Sequence, residues 1–204
     1  SNAINEQEIS EFNKRINKWL DQSKTFYVAE PKIDGLGVSL IYKNGKLIRA
    51  LTRGDGYSGE DITHNIKTIN AVPMILRGEN YPSFLEIRGE IFMLKSDFEI
   101  LNKARAHVGE KLFANARNAA AGSVRQLDPN ITSRRKLSIF CYEIGASDGL
   151  DVNTHWDMLS YLKSIGLPVN PLAKKIDSID SMILYHQDLE KKRDSIPYEI
   201  DGSV

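Results

Sequence analysis

Leu36-Gly-Val-Ser-Leu-Ile-Tyr-Lys-Asn-Gly-Lys-Leu-Ile-Arg-Ala-Leu-Thr-Arg53 decides the fold class. Two short segments rich in β-formers, 36–42 and 47–53, flank Asn44-Gly45, the strongest short-range hairpin signal a sequence carries. Upstream, 26–30 has the same character, so this region predicts an antiparallel meander. Further upstream, Ile9, Phe12, Ile16, Trp19 and Leu20 recur at helical steps and predict an opening amphipathic helix packed by its apolar face. Downstream, a Gly-rich stretch from Gly54 to Gly59 leads to Ile62, Ile66 and Ile69 at helical spacing, and 84–93 returns to strand.

The remaining chain alternates helices with strands. Ser96 followed by Glu99 reads as a capping box that opens a helix running to about His107. The stretch 115–126 is Ala-rich with interspersed arginines, and 137–144 reads as a buried strand. A helix over 154–165 is stopped by Gly166 with Pro168 beyond, and another over 179–192 precedes Pro197. The segment 198–204 reads as the beginning of a strand. Together these predict one α+β domain, 4–204, of antiparallel sheets flanked by helices and incomplete at its C-terminal edge. Ser1, Asn2 and Ala3 read as the remnant of a removed tag.

Composition narrows the function classes. The chain has 204 residues, 41% hydrophobic and 26% charged, which is ordinary globular usage. No apolar run approaches the roughly 18 residues of a membrane span, and no signal-peptide core follows the N-terminus, so a cytoplasmic location with no membrane partner is expected. One cysteine, Cys141, allows neither an internal disulfide nor a cysteine-built zinc site, and zinc is not expected. The histidines His64, His107, His155 and His186 lack metal-ligand spacing and read as solvated or locally hydrogen-bonded. Twenty-seven basic residues balance 27 acidic ones, so a nucleic-acid contact requires a local patch. Oligomeric state is not legible.

Four segments carry candidate chemistry. In Glu30-Pro-Lys-Ile-Asp-Gly35, strand alternation puts Lys32 and Asp34 on one face and Ile33 on the other. A lysine there fits an activated nucleophile with a carboxylate to orient it, and equally a solvated ion pair beside a turn glycine. In Leu85-Glu-Ile-Arg-Gly-Glu90, Leu85, Ile87 and Ile91 share the packed face, and Glu86, Arg88 and Glu90 share the other. Gly89 in mid-strand requires a ligand or another backbone close by, which favours Glu90 as a pocket wall over a plain solvent-facing strand. Arg53-Gly-Asp-Gly56 fits a phosphate-embracing turn with Arg53 as a forked donor, or a flexible loop. Within 113–128, Arg117 and Arg125 lie about 80° apart around a helix, close enough for a phosphate clamp or two solvated arginines. No P-loop or Rossmann pattern is present.

Taken in order, Glu30-Pro-Lys-Ile-Asp-Gly35, Arg53-Gly-Asp-Gly56 with Gly59-Glu-Asp61, Glu86-Ile-Arg-Gly-Glu90, the 115–128 stretch and Tyr198-Glu-Ile-Asp-Gly202 resemble the adenylation domain of bacterial NAD-dependent DNA ligases. The resemblance covers nearly the whole chain. It implies a covalent nucleotidyltransferase fold, related to ATP-grasp, and an enzyme that takes AMP from NAD. Lys32 is then the catalytic nucleophile, which receives AMP and releases nicotinamide mononucleotide. Glu30 lies beside the adenine, Arg53 and Glu90 by the ribose, and Asp34 and Asp201 in the supporting wall. Arg117 and Arg125 engage the 5′-phosphate of nicked double-stranded DNA, and Mg²⁺ is the expected counter-charge, with no protein metal ligands assigned.

The resemblance also marks departures. The family has a further N-terminal segment that grips the nicotinamide mononucleotide half, and its pattern continues past this chain as DGVVIK and several more domains. Ser203 stands where the family usually has valine, and Ala116 where proline is common. A non-catalytic relative that binds nucleotide or DNA is the alternative reading.

Overall fold

The computed structural model describes residues 6–20, 26–54 and 59–204. The fold is α+β, with three antiparallel sheets and helices packed around them. Asp55 and Gly56 of the Arg53-Gly-Asp-Gly56 motif lie outside the described residues, as do Ser1 to Ala3.

The central sheet grows from the hairpin. Strands β3 (Leu36–Lys43) and β4 (Lys46–Thr52) pair antiparallel through Asn44 and Gly45, whose φ angles of 47° and 72° are the left-handed pair a two-residue turn of this hand requires. β5 (Phe84–Met93) pairs with β3, and β6 (Leu137–Ser147) with β5, giving the order β4-β3-β5-β6. Leu40, Tyr42, Leu85, Ile87, Ile91, Ile139 and Cys141 form the packed face. Against it lie the short helix α2 (Thr63–Ile66), then α4 (Ala116–Val124) with buried Ala119 and Ala120, and, after them, α6 (His155–Ser164) with Leu159 and Leu162. The small residues of α4 thus serve close helix-to-sheet packing. Gly89 has a similar cause: a Cβ there would sit 2.8 Å from the Phe140 carbonyl oxygen, so a neighbouring backbone excludes it.

A second apolar cluster caps the other face at one end of β5 and β6. Phe92 stacks on Phe140 with centroids 5.0 Å apart, Tyr198 closes the aromatic group, and Ala29, Ile176, Tyr185, Leu189, Ile196 and Ile200 complete it. This cluster is built by two small sheets and one helix. β1 (Tyr27–Ala29) pairs with β7 (Lys174–Ile176), β2 (Pro31–Ile33) pairs with β8 (Ile200–Ser203), and α7 (Ile179–Lys191) covers them.

Several expectations are corrected. Residues 26–30 do not join the hairpin as a meander, because β1 hydrogen-bonds to β7 instead. The opening helix forms as α1 (Glu6–Leu20), but none of its residues is buried, and Trp19 is 87% exposed. It meets the rest of the fold along α7 and where Phe12 tilts against Tyr27, whose hydroxyl donates to Asn13. Ser96 is not a cap, because α3 (Lys95–His107) starts earlier, from Leu94, whose side chain packs into the second cluster. Asn115, Asp128, Thr154 and Ser178 do cap α4, the short α5 (Pro129–Ser133), α6 and α7, each accepting a backbone N–H with its side chain. The helical spacing over 61–69 yields only the one-turn α2, since Asp61 is drawn into a bridge with Leu51.

Candidate active site

The unpacked face of β5 and the β2–β8 pair meet at Gly35. A Cβ on Gly35 would lie 2.3 Å from the Ile91 carbonyl oxygen and 2.9 Å from Cγ of Glu90, so this contact exists only because position 35 has no side chain. That approach sets the segment bearing Lys32 and Asp34 beside the β5 strand bearing Glu90.

Lys32 pairs in register with Gly202, and its Nζ donates to Asp201 Oδ2 at 2.9 Å, with both side chains partly exposed. The register shifts after Lys32, so Asp34 lies past the end of β2, held by a backbone bond from its N–H to Glu199 O at 3.0 Å. Its Oδ1 accepts from Arg117 Nη1 at 3.0 Å. Arg117 stands in the first turn of α4, and its guanidinium also feels Glu90 and Asp201; the Asp34 bond raises its already high pKa. Lys32, Asp34, Glu90, Arg117 and Asp201 therefore form one charge cluster.

Glu90 is the carboxyl of the site that its surroundings shift most. Burial pushes its carboxyl up to about 7, against the lowering pull of Arg117 and Arg53, with the Asp34 charge adding to the rise. Arg53 joins from β4's end: its N–H donates to Gly37 O at 2.9 Å, and its side chain passes the open space above Gly37, opposite Glu90. Because the folded carboxyl holds its proton more tightly than the ordinary value of 4.5, its stabilising contribution is full below about pH 4.5 and is lost as pH rises through about 7. Glu90→Gln, a permanent mimic of the neutral acid, is expected to melt above the wild-type chain at pH 8 and to converge with it below about pH 4.5. A gap that instead widens on acidification, followed by thermal unfolding across that range, would reverse the assignment.

Two sequence-expected residues stand slightly apart. Glu30 is nearly buried and binds His155 Nε2 through Oε1 at 2.6 Å. Arg125 does not share a partner with Arg117: regular helix ends at Val124, and Arg125 Nε pairs with Glu60 Oε2 at 2.7 Å. Arg117 and Arg125 thus stand at opposite ends of α4, each on its own carboxylate, Asp34 and Glu60. Glu60 is itself fixed by Thr52, and Asp61, whose carboxyl Thr63 and Arg49 hold down at about 2, secures the turn that follows.

Sequence reasoning missed His155 and Tyr142. His155 was expected to be solvated or locally hydrogen-bonded; instead it binds Glu30, 125 residues away, beyond any local signal. Tyr142 is the extra residue of a bulge, since Arg88 pairs with Glu143 and Gly89 with Cys141. The bulge lets Phe140 and Glu143, and Tyr142 between them, serve the face that carries Glu90. Burial raises the Tyr142 hydroxyl's pKa, and the charges of Glu90 and Arg53 reach it. Among the described residues no three His, Cys, Asp or Glu side chains converge as a metal cage. None of their helices is long and apolar enough to cross a membrane.

An α+β fold that holds a strand-borne lysine within a ring of carboxylates and arginines has the character of a nucleotidyltransferase adenylation domain. The chain belongs to the NAD-dependent DNA ligase adenylation domain family, whose model matches residues 1–204. It is 48% identical to a DNA ligase of Geotalea daltonii and 48% identical to one of Shouchella clausii, and 47% identical to a DNA ligase of Nitrosococcus oceani. Each match covers 100% of this chain and 30 to 31% of the relative, so the chain spans about a third of the length of the curated relatives it matches.

Proposed function

We propose that this chain is the AMP-accepting core of an NAD-dependent DNA ligase acting in the cytoplasm. Lys32 Nζ, having released one proton to solvent to become the free amine, attacks the α-phosphorus of NAD; an N–P bond forms, the P–O bond to nicotinamide mononucleotide breaks, and the nitrogen gives up a second proton. Asp201 Oδ2, 2.9 Å from Nζ, accepts that proton. Arg53 and Arg117 balance phosphate charge, Arg117 exchanging its Asp34 contact for a phosphate oxygen. Glu90 and Arg53 line the ribose side, Asp34 and Asp201 the wall, and Glu30 the adenine. Mg²⁺, for which no protein ligands are assigned, would when bound supply counter-charge to the phosphates.

In the complete enzyme the lysine-bound AMP passes to the 5′-phosphate of a nick, with Arg117 and Arg125 holding that phosphate. The 3′-hydroxyl then expels AMP and seals the strand. The observation that carries this reading is the cluster of Lys32, Asp201, Asp34, Arg117 and Glu90 on a family-matched chain. Intact mass after incubation with NAD and Mg²⁺, alone and with the flanking segments of a related ligase supplied, tests it. A gain of one AMP mapping to Lys32 is expected with the segments present. Nucleotide binding with no covalent product in either sample would leave a binding module instead.

A further inference from the structure

The Glu30–His155 contact joins two elements that share no other role in the charge cluster. Glu30 is fixed at its backbone, where its N–H donates to Val204 O at 2.8 Å and its carbonyl accepts from Val204 N at 2.9 Å. Its side chain is 12% exposed, and Oε1 is taken by His155 Nε2 at 2.6 Å. Among the described residues, the Glu30 side chain makes its hydrogen bond through Oε1 and none through Oε2. His155 is the first residue of α6, set in place by the Thr154 cap, whose Oγ1 accepts from Asp157 N at 3.1 Å and donates to Asp157 Oδ2 at 2.6 Å. The short contact fixes the imidazole's orientation, and in the tautomer with its proton on Nε2 the ring donates to Oε1.

We propose that His155 is a positioning residue for base selectivity: by holding Oε1, it aims the free Oε2 of Glu30 at the 6-amino group of adenine and against the 6-oxo group of other purines. This rests on the adenine-nucleotide reading above. A glutamate left to itself would have to be ordered by the incoming base, whereas one already tethered is ordered beforehand, and the saving appears as affinity. Selectivity follows because a 6-oxopurine presents an acceptor to an acceptor, leaving a desolvated carboxylate oxygen opposite a carbonyl.

Titration calorimetry with AMP and IMP, on the wild-type chain, His155→Ala and His155→Gln, tests the proposal. The wild type is expected to prefer AMP. His155→Ala should weaken AMP about tenfold, the loss associated with one well-formed hydrogen bond, while changing IMP by less than about twofold. In His155→Gln, whose amide N–H reaches as Nε2 does, the preference should return. Should His155→Ala unfold, His155→Phe keeps the ring's bulk without the donor and carries the same comparison. An unchanged AMP-to-IMP ratio in folded His155→Ala or His155→Phe overturns the proposal, as does a wild type that binds both alike. A wild type that binds neither overturns the nucleotide reading itself, and is seen before any variant is made.

Discussion

Lys32→Ala is expected to abolish covalent AMP attachment, with a loss of at least about a thousandfold, because no other nucleophile can take over a displacement that depends on alignment. The same variant should fold normally. The Lys32 side chain is 52% exposed and its partner Asp201 39%, so water solvates the carboxylate left behind and the surface pair supplies little stability. Lys32→Arg is the sharper control, since it keeps the positive charge beside Asp201 but offers a guanidinium that stays protonated and does not attack phosphorus. Intact mass and peptide mapping read both variants. Persistent labelling of either one would remove Lys32 from the role, while labelling at another lysine would identify its replacement.

Gly35→Ala should have the second largest effect, and it acts on both fold and site. The added methyl would press on a backbone oxygen of the central sheet, 2.3 Å from Ile91 O, which no rotamer change can relieve. Either β5 or the segment after β2 must move. Overpacking of this kind costs about 1–3 kcal/mol, which for a chain of this size lowers the melting temperature by about 5 °C. The displacement would also part Asp34 from Arg117 and shift Glu90, so labelling should fall by more than about tenfold even at a temperature where the variant is folded. Normal melting together with normal labelling would show that the close approach at Gly35 does not hold the site.

Much of the fold was legible because its signals are local. The 36–53 hairpin announces itself through Asn44-Gly45, and 84–93 through the alternation of Leu85, Ile87 and Ile91 against Glu86, Arg88 and Glu90. The small sheets were not legible. Lys174 and Lys175 show no apolar alternation, and both extend exposed side chains over the rings of Tyr185 and Phe26, so β7 reads as a solvated charge run. In the site, Lys32, Asp34, Glu90 and Asp201 were singled out by their motifs, and the structure brings all four to Arg117 or its neighbours. The pairing of Arg125 with Glu60 was not legible, because a helix end cannot be read to the residue. Tyr142 was missed because a bulge inserts one residue without changing the composition around it, and His155 because its partner is remote in sequence.

The pairing of β2 with β8 joins Lys32 to Gly202 across most of the chain, and β1 with β7 joins Val28 to Lys175 across nearly as much. Such contacts give a topology of high contact order, whose closure entropy must be met before any bond forms in return. The four-stranded sheet has a nearest-neighbour hairpin to begin from, and the second cluster has none. During refolding the sheet should therefore gain hydrogen-exchange protection first, and the edge carrying the reactive lysine last, so that a newly made chain acquires its fold before it acquires its chemistry.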